Sequence, residues 1–303
     1  MKLPPRSFWA NDGVCGTYST LVKDTDPQDD PEAPAGLNAS TWMKRLLLHL
    51  AQQAARDARH ISRWQETTVH SLRKRMKKLQ ALLLLARPVL GEPDYEALRT
   101  RVRSLKNLVG TARDADVMAK LQEKFGSSVW ARHTSPLPRS TIARLTAQAD
   151  HLVRLVRETD FTGLDWDMVA TAHALTYQKG RKAWQHAQEN PEPETLHKWR
   201  TQVKRLHYQA TALHPWIETE KELQRSRKLG SLLGRCHDLD VFADMVKAEK
   251  LKAPSGWKQD LRERRKDLMP RIFRRAAKVF SRRSRKIKQR SRHSLPSLSP
   301  ASA

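Results

Sequence analysis

The sequence predicts an all-α protein made of two similar antiparallel helical bundles. Three observations carry that prediction. From Ser40 onward apolar residues return at intervals of three and four, strand-like alternation is essentially absent, and one pattern of basic and apolar residues is written twice in the same order.

Taken in order, residues 1–38 are rich in Pro, Gly and Asp ("KDTDPQDDPEAPAGLN") and show no period, which reads as a flexible N-terminal arm. Three helical segments follow, "TWMKRLLLHLAQQAARDARHISRW", "TVHSLRKRMKKLQALLLLARPVL" and "PDYEALRTRVRSLKNLVG", the last two separated by Pro88, Gly91 and Pro93. "HTSPLPRST" interrupts the chain before a fourth, "IARLTAQADHLVRLVRE". A second series then repeats the order of the first, from "DWDMVATAHALTYQKGRKAWQHAQ" to "WKQDLRERRKDLMPRIFRRAAKVF". The helical domain is expected over 39–285, with halves of about 39–160 and 164–285. Residues 286–303 belong to a stretch of Ser, Pro and bases without apolar periodicity, and a disordered basic tail is expected there.

Charge narrows the function. With 57 Lys and Arg against 32 Asp and Glu, a net +25, the chain should meet a polyanion or an anionic surface. Cys15 and Cys236 stand in unrelated contexts, so neither a disulfide framework nor a zinc site is indicated, and a reducing cytoplasm fits. No apolar stretch approaches the roughly 18 residues of a membrane span, and no leader-like h-region opens the chain, so a soluble, unsecreted protein is expected.

The repeat is the most specific signal. "HSLRKRMKKL" from His70 returns as "HKWRTQVKRL" from His197, pairing His70 with His197, Arg73 with Arg200, Lys77 with Lys204, and Lys78 with Arg205. Downstream, "LKNLVGTARDADV" from Leu105 pairs with "LGSLLGRCHDLDV" from Leu229, setting Gly110 on Gly234, Asp114 on Asp238 and Asp116 on Asp240. Two matches in one order at nearly one offset argue for an internal duplication with a pseudo-twofold.

At about 100° per residue, His70, Arg73, Lys74 and Lys77 share one sector, and Val69, Leu72, Met76, Leu79 and Leu83 lie opposite. The repeat does the same, with His197, Arg200 and Lys204 on one side and Trp199, Val203, Leu206 and Ala210 on the other. Arg99, Arg103 and Lys106 form a further basic face, and Arg103 pairs with Arg227. A solvated face normally mixes signs, yet neither row contains a carboxylate, so an anion lying along the row is the natural compensation. Neither His has a second ligand three or four residues on, so no metal role is expected. The two paired glycines read as helix caps or points of close approach, and the aspartates after them as caps of a following helix.

These residues carry a resemblance. The paired His70, Arg73, Lys77, Lys78 and His197, Arg200, Lys204, Arg205, each followed by its "VG" or "LG" stretch and "RDADV" or "HDLDV", are similar to the CHAD family, the conserved-histidine α-helical domain, from about Ser40 to about residue 285. The resemblance implies two bundles related by a pseudo-twofold, whose basic helices face a central groove or pore that binds inorganic polyphosphate, and association with polyphosphate granules in bacterial cells. Two positions depart from the repeat: His237 stands where the first half has Arg113, and Gly230 where it has Lys106.

The expected site is therefore His70, Arg73, Lys74, Lys77, Lys78, Arg99, Arg103, Lys106, His197, Arg200, Lys204, Arg205 and Arg227, binding polyphosphate without catalysis. No cofactor is expected. An enzyme of phosphate polymers would need metal-binding carboxylates or a Walker-type cradle beside the cations, and the rows offer neither. The alternative is a nucleic-acid-binding protein, suggested by the isoelectric point near 10.5 and the tail "SRRSRKIKQRSR".

Overall fold

A computed structural model describes residues 37–61, 65–110, 137–214, 216, 220–248, 255–282 and 284–294. Among them every regular element is a helix: α1 (Ala39–His60), α2 (Gln65–Ala86), α3 (Glu92–Leu108), α4 (Arg139–Glu158), α5 (Trp166–Glu189), α6 (Pro193–Ala212), α7 (Glu220–Lys247), α8 (Trp257–Val279) and α9 (Ser284–Ser294). The expected arm up to residue 36, Arg113, Asp114, Asp116 and the tail from residue 295 lie outside the described residues. No described helix is long and apolar enough to cross a membrane.

Local chemistry starts the helices where the sequence marks them. The Asn38 side chain accepts the Thr41 amide at 2.8 Å ahead of α1, and Asp165 accepts from Met168 N at 2.7 Å ahead of α5. Pro93 and Pro193 sit in the first turns of α3 and α6, where a missing N–H is harmless, and acidic residues accompany both. Gly256, at φ 78°, takes the left-handed position before α8.

The helices bury two cores. In the first bundle α1 packs on α2 and α4, and α3 packs on the same two helices, closing a four-helix ring. In the second, α6 lies between α5 and α7, α8 covers α7, and α9 covers α5. The division falls inside α5, whose residues up to Ala172 join the first core while those from Ala174 join the second. Trp42, Trp166 and Trp216 form one aromatic cluster in the first core, with ring centroids 5.1 to 6.2 Å apart.

Helix α2 closes the seam by packing on α5 and α6 as well as on α1 and α3. A buried polar chain ties it there: Gln209 Nε2 of α6 donates to the Ala81 carbonyl of α2 at 2.8 Å, and Gln209 Oε1 lies 3.2 Å from His173 Nδ1 of α5. With the amide nitrogen committed to Ala81, Gln209 Oε1 accepts, so His173 carries its proton on Nδ1. Gln209 and His173 are fully buried. Gln209→Leu keeps the bulk and removes both bonds, and should destabilise the protein by about 1–3 kcal/mol, read as a lower urea midpoint in circular dichroism.

Three expectations change. Helix α7 runs straight through Gly230 and Gly234, so Gly234 caps nothing, and Asp238 and Asp240 lie within the helix instead of starting a new one. The buried stripe Leu229, Leu233, Cys236, Leu239 and Phe242 continues across the glycines, and that burial outweighs their helix penalty of roughly 1 kcal/mol each. Asp240 is bonded to Arg265 of α8. Finally, α9 occupies part of the stretch expected to be disordered. Ile287 and Ser291, one helical turn apart, are buried against α5, and Arg282 and Arg290 both reach Glu222.

Candidate functional site

The apolar halves of the two basic helices behave as their spacing dictates. Val69, Leu72, Met76, Leu79 and Leu83 of α2 are buried in the first core; Trp199, Val203 and Leu206 of α6 are buried in the second. Because α2 and α6 also pack on each other, the basic residues of both are carried to one place.

Named contacts show how the cations meet. Arg73 Nη1 donates to the Lys106 carbonyl at 3.1 Å, one of the last carbonyls of α3, and so caps the negative end of that helix. Lys106 itself is held below the usual lysine range, first by burial and then by the charges of Arg73, Arg103 and Arg205. Arg205, from the second bundle, is likewise lowered by burial and by Arg99, with Tyr95 acting in the opposite direction. Five predicted cations from α2, α3 and α6 thus form one cluster across the seam. Arg99 is the most locally neutralised of them, lying 2.5 and 2.7 Å from the Glu96 carboxylate oxygens.

The second group centres on His197. Burial comes first, then Arg200 of its own helix and Lys77 of α2, in depressing the imidazole's proton affinity. Its ring lies 4.8 Å from that of His237 on α7. The glycines of α7 form the floor here. A Cβ on Gly230 would lie 3.4 Å from Lys204 Cε, and one on Gly234 3.8 Å from the Arg200 guanidinium. Both are ordinary contacts with basic side chains of α6, and nothing lies within 4 Å of a Cβ placed on Gly110, so the close helix approach expected at the paired Gly110 and Gly234 is not found. Sequence spacing alone could show a small residue but not its visitor.

Other predicted residues differ in placement. Lys74 and Lys78, expected on or beside the open row, are only 8 % and 5 % exposed, because α2 is covered on several sides by α1, α3, α5 and α6. His70 and Arg227 are exposed, on α2 and α7. Cys236 is buried and free, its thiol pushed up to about 11 mainly by desolvation, which makes it a core residue. Among the described residues no group of three or more His, Cys, Asp and Glu is arranged to hold a metal ion.

The family model of the CHAD domain matches residues 44–247, which takes in α2, α3, α6 and α7. The crystal structure of the CHAD domain from the plant Ricinus communis is similar, with a TM-score of 0.53 at 17 % identity over 87 % of this chain and 94 % of that chain, a likeness of fold. No curated protein matches the chain. A family match over more than half of the sequence, on an all-α architecture that the solved domain shares, establishes that this chain belongs to the CHAD domain family.

Proposed function

We propose that this protein binds inorganic polyphosphate, without catalysis, along the basic residues that α2, α3, α6 and α7 bring together, as expected of a granule-associated or polymer-sensing bacterial protein. The observation that carries the reading is the crossing of the seam: Arg205 shares its surroundings with Arg99 and Lys106, and His197 with Lys77. Like charges held this close raise the energy of the free protein, and a polyanion lowers it again. Linked phosphates suit the site because their charges are dense and guanidinium groups bind phosphate oxygens in pairs. That the two bundles are a duplicated unit within one binding domain over 39–285 belongs to the same reading.

Titration of the full chain with polyphosphate, RNA and DNA at equal phosphate concentration and physiological salt tests it. Polyphosphate should bind most tightly. Equal affinity for all three would instead favour the nucleic-acid alternative, in which diffuse charge, including the outer face of α9, attracts any phosphate backbone. Truncation before α9 is a poor test, since it would strip packed residues from α5.

Proton linkage gives a second check. His197 is depressed in the folded state, so stability should fall as the pH drops through the ordinary histidine value near 6.5, where the unfolded chain takes up the proton first. A bound polyanion offsets Arg200 and Lys77 and favours the imidazolium. Binding should therefore take up protons, and affinity should rise, as the pH falls through that window. Calorimetry in two buffers of different ionisation enthalpy should show this uptake, and His197→Asn should reduce it; unchanged uptake would place the linked group elsewhere.

A further inference from the structure

A second basic feature lies away from the rows. Lys228, Ser231, Leu232 and Arg235 of α7 line one wall of a cleft of about 330 Å³, and Arg271, Arg274, Arg275 and Lys278 of α8 line the other. The pairs Phe242–Trp257 and Asp240–Arg265 show that α7 and α8 run antiparallel, so these two stretches face each other over two to three helical turns. The walls are well founded, since Leu229, Leu233, Ile272 and Ala276 between the cleft residues are buried in the second core.

The cleft is not another view of the rows. Around α7, at about 100° per residue, Lys228, Ser231, Leu232 and Arg235 are centred about 130° from Gly230 and Gly234, the face that meets Lys204 and Arg200. Its electrostatics are also distinct from the surrounding surface. Nearby Arg264, Arg265, Arg282 and Arg290 each pair with a carboxylate. Among the described residues, none of the six cleft cations forms an ion pair or side-chain hydrogen bond. Compensation from within the two walls is excluded by sequence: no Asp or Glu occurs between Leu223 and His237, or anywhere from Leu268 to the end of the chain.

We infer that the α7–α8 cleft is a separate binding site for a short run of linked phosphates. Six cations, four of them arginines, around so small a volume match a ligand whose negative charges sit on adjacent groups, and arginine forks can each take two phosphate oxygens. Nucleic acid fits less well, because no aromatic side chain lines the cleft to stack on a base. A membrane headgroup fits less well too: the exposed large apolar side chain found among the described residues, Leu175, is on α5 and could not anchor α7 and α8 in a bilayer. The ligand chemistry is that proposed for the rows, but the residues are not, so either site can stand without the other.

Calorimetric titration of the full chain with sodium tripolyphosphate tests this, alongside oligo-dT and phosphatidylserine vesicles. Arg271→Gln combined with Arg274→Gln and Arg275→Gln should weaken tripolyphosphate binding to one site by at least about tenfold, and Lys228→Gln with Arg235→Gln should weaken the same site from the opposite wall. A row variant, Lys77→Gln with Lys204→Gln, should leave that site in place. All the cleft side chains replaced are exposed or half-buried, and thermal melts accompany each variant. Unchanged stoichiometry and affinity in either folded cleft variant would overturn the inference, as would losses confined to oligo-dT or to vesicles. Loss in the row variant alone would sink the cleft; loss in the cleft variants alone would establish it and leave the rows to be judged by long polymer.

Discussion

Replacing Lys77 and Arg200 by glutamine together should lower affinity for a long phosphate polymer by about two to four orders of magnitude and change pyrophosphate binding far less. Each well-formed charge-assisted contact is worth about 1.5–3 kcal/mol, and about 1.4 kcal/mol is a factor of ten. The two residues come from different bundles, and both lie beside His197. A polymer that reaches one cation finds the next at high effective concentration, so losing both breaks the chain of intramolecular contacts, whereas a dimeric phosphate never had it. Arg73 is the wrong choice for this experiment. Its bond to the Lys106 carbonyl caps α3, so Arg73→Ala would mix a folding effect with a binding effect. Melting temperatures should hold or rise in the double variant, because like charges are removed. Isothermal titration that finds polymer affinity unchanged, or pyrophosphate as tightly bound as polymer, would sink the row model.

Trp199→Ala should cost about 3–5 kcal/mol of stability, a large share of the 5–15 kcal/mol typical of a folded protein. Trp199 is fully buried in the second core, and its ring stacks on Phe273 of α8 at 6.0 Å with planes 13° apart. No neighbouring helix can collapse into so large a void without dragging the α6 backbone, which carries Arg200 and Lys204. Urea unfolding should show the loss, and Trp199→Phe should recover much of it by refilling the space. A loss under about 1.5 kcal/mol would mean the core closes around the vacancy.

How far the sequence reached depended on whether a feature is local. The two-faced pattern of α2 and α6 is set by residues within one or two turns, and the buried sides came out as the period indicates, from Val69 to Leu83 and from Trp199 to Leu206. Lys74 and Lys78 did not, because a helical wheel gives direction but not how many helices converge on it. The continuity of α7 was hidden by its glycines, which look like stops until the stripe from Leu229 to Phe242 is seen to run through them. Composition likewise concealed α9, whose order rests on Ile287, Ser291 and a distant Glu222. The joining of Arg205 to Lys106 across the seam is a long-range contact, and no local pattern encodes it.

The three indole rings of Trp42, Trp166 and Trp216 sit where α1, the start of α5 and the segment after α6 converge. At such separations their electronic transitions couple, and the resulting near-ultraviolet dichroism depends on the mutual orientation of the rings. The first core thus carries an intrinsic optical label. Any ligand that repacks that core would register there without a dye, while the tryptophans of α6 and α8 report on the second core.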